Sequence, residues 1–182
     1  MKVIFIHGGL FYGAGNDLAA LAGMAGAGPD EMRDSASLGS ELIMVQTLKA
    51  INRSRKPIVG LVRGQSIGIS FTTMSLFDFI YVTPEAQFST PFMKSFQSPE
   101  GGSTMTFVQQ FGMRRANEIL MLDRPIKAQE AVQCGFANGV IENLGNEHFP
   151  DIDKIPALPK LLATDYRTLV NCKELMNSAK DN

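Results

Sequence analysis

Residues 56–70 read KPIVGLVRGQSIGIS. A β-branched, apolar run at 57–62 reads as a buried strand. It stops at Arg63-Gly64, and Gly68 follows four residues later before the chain turns apolar again. A strand, a glycine-rich turn and a helix in that order are the unit of α/β architecture, so this stretch sets the fold class.

The pentapeptide Gly64-Gln65-Ser66-Ile67-Gly68 is also a literal G-x-S-x-G. With His7-Gly8-Gly9 upstream, Asp123 as acid and His148 as base, it permits a serine hydrolase whose nucleophile is Ser66. Two features weigh against that. Bulky Ile67 follows the serine where small residues let strand and helix cross closely. His148 sits in the polar stretch 146–150, where a solvated loop histidine is the simpler reading.

Outward from 56–70 the chain alternates strand and helix signals. Residues 2–6 read as a short buried strand ended by Gly8-Gly9, followed by a loop at 11–17 and a short Ala-rich helix. Residues 23–37, rich in Gly, Ala, Asp and Ser, read as a surface loop. Leu38, Leu42, Val45, Leu48 and Ile51 recur at spacings of four and three, which predicts an amphipathic helix. Further strands are expected at 78–82, 86–89 and 139–142. Helices are expected at 101–122, broken at Gly112, at 128–134, closed by Gly135, and as two short pieces after 155. The order predicts one domain, 1–182, with a core at 2–142 and a helical segment at 155–178.

Three separated stretches carry a more specific signal: Tyr12-Gly13-Ala14-Gly15-Asn16-Asp17-Leu18, the 56–70 stretch running on to Asp78, and Phe88 to Phe92 followed by Gln97-Ser98-Pro99-Glu100-Gly101-Gly102. In this order and spacing they resemble the crotonase (enoyl-CoA hydratase/isomerase) superfamily, and within it the peroxisomal-type 3-enoyl-CoA, 2-enoyl-CoA isomerases. The resemblance runs from about residue 2 to 142. It implies a ββα superhelix. It also implies that the chain lacks the family's N-terminal hairpin and last C-terminal helices, so that strand 2–6 has a bare edge.

By the same resemblance, the backbone N–H groups of Asn16 and Ile69 form an oxyanion hole for a thioester. Ala14, Gly15, Asn16, Asp17, Leu18, Gly68, Ile69 and Phe92 contact the substrate. The two glutamate positions of the water-adding enzymes hold Thr72 and Phe92 here, and neither is a base. The isomerase glutamate position holds Glu100. One carboxylate suffices to move a proton from C2 to C4 of a 3-enoyl thioester. Taken without the resemblance, Ser98-Pro99-Glu100 is a good helix start, with Ser capping, Pro at the first position and an acid facing the dipole. Gly101 and Gly102 are poor first-turn residues on stability grounds, and suit a site where another group passes closely. Phe88, Phe92, Met93 and Phe96 are candidates to wall the pocket.

The totals exclude other classes. The 182 residues are 45% hydrophobic, enough for a real core, and the net charge of −1 offers no basic surface for nucleic acid. Cys134 and Cys172 show no metal-ligand spacing and no disulfide framework, and an intracellular, reducing compartment is the simpler reading. No targeting signal or membrane-spanning run is read in the sequence. No metal or redox cofactor is expected; coenzyme A enters as part of the substrate. The resemblance implies a peroxisomal or mitochondrial setting and a homotrimer. A catalytically inactive acyl-CoA-binding or interaction protein stays open beside the isomerase and the hydrolase.

Overall fold

The computed structural model describes residues 2–9, 12–15, 44–146 and 148–178. The expected Ala-rich helix, the loop at 23–37, and Asn16, Asp17 and Leu18 lie outside the described residues. The elements, in chain order, are β1 (Ile4–His7), α1 (Gln46–Asn52), β2 (Ile58–Val62), β3 (Gln65–Ile67), α2 (Ile69–Met74), β4 (Phe79–Val82) and β5 (Gln87–Ser89). There follow α3 (Ser103–Phe111), α4 (Met113–Met121), β6 (Ile126–Lys127), α5 (Ala128–Gln133), β7 (Gly139–Val140), a 3-10 turn at Ile152–Lys154, α6 (Leu158–Ala163) and α7 (Tyr166–Ser178).

The strands form two sheets. One has the order β1-β2-β4-β7 and is parallel throughout; the other has the order β3-β5-β6, with β3 and β5 parallel and β6 antiparallel to β5. From β2 to β5, successive strands alternate between the two sheets. β2 leaves the first sheet at Arg63-Gly64, where Gly64 takes φ +54°, and becomes β3 of the second before α2. β4 and β5 repeat the step, with Ala86 N–H closing the corner onto Thr83 O at 3.0 Å. Each β-β-helix unit is displaced one strand along both sheets, which is the ββα spiral the motifs implied.

Burial follows the period of two that a strand imposes. Val59, Leu61 and Tyr81 point to one face of the first sheet and pack with Val3, Ile141, Leu144, Ile155, Leu158 and Leu161. Val62, Ile80 and Val82 point to the other, into a cluster centred on aromatic rings. Phe71 is its hub, with ring centroids 4.8 Å from Phe107, 5.1 Å from Phe88 and 5.1 Å from Phe136. Every residue of β2 is buried, as a strand packed on both faces requires.

Four expectations change. β1 is only half-buried, because it forms the edge of the described sheet with a neighbour on one side. β3 and β6, of three and two residues, are too short to show a period in the sequence. The strand expected at 139–142 stops at Val140, and the last of the two short helices is thirteen residues long. The helix break at Gly112 (φ +76°) and the close at Gly135 (φ +79°) stand as expected. Among the described residues, no helix is long and apolar enough to cross a membrane.

Candidate active site

Three chain segments meet at the N-terminal end of α2. The first is 12–15. Tyr12 and Gly13 N–H both donate to Gln65 O (3.0 and 3.3 Å), and Ile67 N–H donates to Gly13 O (2.9 Å), so the segment runs beside β3 as a parallel partner. Gly13 is required there: a β-carbon would fall 2.2 Å from Ser70 Oγ.

The second is the β3–α2 turn. Gly68 has φ +58°, a region open to glycine and costly for most other residues. Its N–H donates to Ser89 O at 2.9 Å, which latches the end of β5, and its carbonyl accepts from Phe71 and Thr72 to start the helix. Ile69 is the first residue of α2, so its N–H has no acceptor within the helix.

The third segment joins β5 to α3. It coils through a turn at 92–96, passes without regular structure through 97–100, and turns again at Gly101 (φ +66°) and Gly102 (φ +74°). Glu100 is half-buried in this segment. One position ties all three together: a β-carbon on Gly68 would stand 3.8 Å from Glu100 Oε1 and 3.8 Å from Gly15 Cα. The segments enclose an open cleft of ≈ 360 Å³. Ala14, Gly15, Ile67 and Gly68 form one side; Pro91, Phe92, Ser95, Gln97 and Glu100 form the other.

Glu100 is the one carboxylate among those lining residues. Thr72 lies fully buried behind Gly101, and Phe92 presents a ring buried to 2% exposure. Tyr12 is no rival base, because burial raises its phenol above the ordinary value and keeps it neutral.

The helix start expected at Ser98-Pro99-Glu100 is not where the helix begins. Its N-cap is Gly102 and its first residue Ser103, so Glu100 stands ahead of the helix instead of capping it. Gly101 has a close neighbour as expected, but that neighbour is the Thr72 side chain. Of the four aromatic and methionine candidates for the pocket wall, Phe92 lines the cleft. Phe88 belongs to the aromatic core, while Met93 and Phe96 are exposed.

Among the other expected site residues, Ala14, Gly15 and Gly68 line the cleft with Glu100, and Ile69 follows Gly68 as the first residue of α2. Pro91, Ser95, Gln97 and Ile67 were not anticipated. Ser95 Oγ lies 2.8 Å from Pro91 O and 3.0 Å from Gln97 Oε1, so the turn folds this polar pair into the cleft. The sequence signal was thin: Ser95 and Gln97 are two of three polar residues, with Lys94, in the stretch just before Ser-Pro-Glu.

The hydrolase constellation does not assemble. Ser66 lies inside β3, is 0% exposed, and its Oγ finds no hydrogen-bond partner among the described residues. A serine nucleophile needs a base within hydrogen-bond reach. The Asp123 carboxylate accepts from Met93 and Lys94 N–H (both 3.0 Å) and so fastens the 92–96 turn. His148 is exposed on a loop.

Comparison with known proteins gives the family and the fold. Residues 1–169 match the family described as enoyl-CoA hydratase/isomerase. Enoyl-CoA delta isomerase 2 of Rattus norvegicus is 33% identical over 137 residues, covering 75% of this chain and 34% of that protein. The peroxisomal enoyl-CoA delta isomerase 3 of Mus musculus is 32% identical over 137 residues, covering 75% and 42%. An enoyl-CoA hydratase from Polaromonas sp. JS666 superposes with a TM-score of 0.83 over 100% of this chain and 68% of that one; at 24% identity this is a likeness of fold. The chain spans 34% and 42% of the length of the two curated relatives.

Proposed function

The chain belongs to the enoyl-CoA hydratase/isomerase family, and from that premise we propose that it shifts the double bond of a 3-enoyl-CoA to the 2-trans position, as in the oxidation of unsaturated fatty acids. The observation that carries the reading is the placement of one carboxylate, Glu100, across a cleft from the Gly15 and Gly68 turns.

The chemistry asks for little more. The C2 proton lies between a thioester carbonyl and a double bond. Glu100 removes it, and the electron pair spreads over C2, C4 and the thioester oxygen as a dienolate. The N–H of Ile69, with that of Asn16, receives the charge on oxygen. The protonated Glu100 then returns the proton at C4, leaving the double bond between C2 and C3. Proton gained and proton lost balance on one group, and no water is consumed.

Adding water across a double bond calls for a second acid–base group to activate the water. The positions that would supply it by family resemblance hold Thr72 and Phe92, which favours isomerisation over hydration. Ala14, Gly15, Asp17, Leu18 and Phe92 complete the acyl-CoA contacts in this reading. A peroxisomal setting, as in the name of the mouse relative, and homotrimeric assembly belong to the same proposal. Fractionation and light scattering test them.

The assay is direct. A 3-enoyl-CoA is supplied, and appearance of the conjugated 2-enoyl thioester is followed in the ultraviolet. Turnover without a 3-hydroxyacyl product supports the isomerase. Binding of CoA esters with no turnover supports the inactive alternative.

A further inference from the structure

Thr72 touches both halves of the candidate site, although it does not line the cleft. It is 0% exposed. Its N–H donates to Gly68 O at 3.0 Å, and its Oγ1 lies 3.3 Å from Ile69 O. Those contacts fix it to the turn that presents the Ile69 N–H. Its outer surface meets the other half: a β-carbon on Gly101 would fall 2.4 Å from Thr72 Oγ1, 3.0 Å from Thr72 Cβ and 3.2 Å from Ile69 Cδ1. The backbone that carries Glu100 therefore rests directly on the Thr72 side chain.

That side chain cannot easily give way. A β-branched residue in a helix has few rotamers, and this one is packed on all sides. The turn above it is seated without a gap, since there is no room for even a β-carbon between Gly101 and Thr72. Two pieces in such close contact define a distance. Proton transfer depends steeply on such distances, because a misplacement of about 1 Å can cost about 100-fold in rate.

We propose that Thr72 is a positioning residue: its side chain is the spacer that sets the Glu100 carboxylate against the Gly68–Ile69 turn. The proposal rests on the function given above for Glu100 and Ile69, and adds how their separation is fixed. It also gives the site one buried, non-ionising side chain where a longer residue would lift the Glu100 turn away.

The test is a double-mutant cycle on the full chain. Gly101→Ala drives a methyl into Thr72 and lowers kcat by about 100-fold, with KM within about threefold. Thr72→Ala alone lowers kcat by about tenfold, and Thr72→Val, which keeps the branched shape, regains most of that. In the double variant Gly101→Ala/Thr72→Ala the atom 2.4 Å away is gone, and kcat recovers about tenfold over Gly101→Ala. Recovery is partial because alanine still occupies a left-handed φ. Losses that simply multiply in the double variant overturn the proposal. Crystal structures give a readout independent of turnover. The Glu100 carboxylate moves away from Gly68 in Gly101→Ala and returns in the double variant; an unmoved carboxylate overturns the proposal. A wild-type chain that fails to isomerise refutes the function above, and the crystallographic cycle still decides the role of Thr72.

Discussion

Gly68 is the single residue on which the site turns. Its φ of +58° releases the chain from β3 into the first turn of α2, and a β-carbon there would stand in ordinary contact, 3.8 Å, with Glu100 Oε1. Phe96 is the opposite case. It holds φ +54° without being glycine, and its ring is 98% exposed. A bulky residue in that region is strained, and the ring gains nothing from burial. Asparagine tolerates the left-handed region, so Phe96→Asn will raise stability by roughly 0.5–1 kcal/mol, about the gain of other backbone-compatible substitutions. Thermal unfolding will show a higher midpoint; an unchanged or lower one contradicts the strain. Glu100 and Gly68 were legible in the sequence because they sit in ordered motifs. Ser95 and Gln97 were not. They enter the cleft through a turn that depends on Phe96 and on two hydrogen bonds to Asp123, thirty and twenty-nine residues away in the chain.

At the scale of elements, α2 is short, and its first turn matters more than its length. Ile69 occupies the first helical position, where proline fits, since the N–H there has no helical acceptor. Ile69→Pro therefore removes a donor while leaving the helix intact. It will lower kcat by about 10²–10³, the usual effect of one oxyanion donor, with an unchanged circular dichroism spectrum. Full activity in a folded Ile69→Pro chain would remove this N–H from the mechanism. The elements most legible in the sequence were those with a continuous apolar run, such as β2 and β4, or a glycine stop, such as the break at Gly112. The start of α3 was misplaced for a physical reason. Ser98-Pro99-Glu100 has the chemistry of a cap, but the contact between Gly101 and Thr72 and two left-handed glycines hold that stretch out of the helix until Ser103. Tertiary contact overrode a local preference.

At the scale of the whole molecule, distant segments are tied to the sheet that carries β2. Lys173 of α7 is buried, with its ammonium 2.7 Å from Asp78 Oδ2 and donating to Lys56 O at 2.7 Å. Asp78 Oδ2 in turn accepts from Ile58 N–H at 2.7 Å. Removing one partner strands a charge in a poorly solvated place. Lys173→Met will cost about 3 kcal/mol, read as a lower urea midpoint at unchanged slope; a loss below about 1 kcal/mol would mean the pair is no clamp. The strand and helix signals reached α/β and the resemblance carried by the ordered motifs implied the spiral, whereas a long-range ion pair such as this leaves no local pattern. What the spiral accomplishes is convergence: Ala14 and Gly15, the turn at Gly68 and the loop at Glu100 face one cleft although up to 86 positions separate them (100 − 14 = 86). The account stands on the single carboxylate placed there. The most direct test is the rate of 3-enoyl-CoA isomerisation by wild type and by Glu100→Gln, which keeps shape and removes the base. Wild type will turn over measurably, and the variant will lose about two to four powers of ten in kcat. Equal rates in the two chains would contradict it.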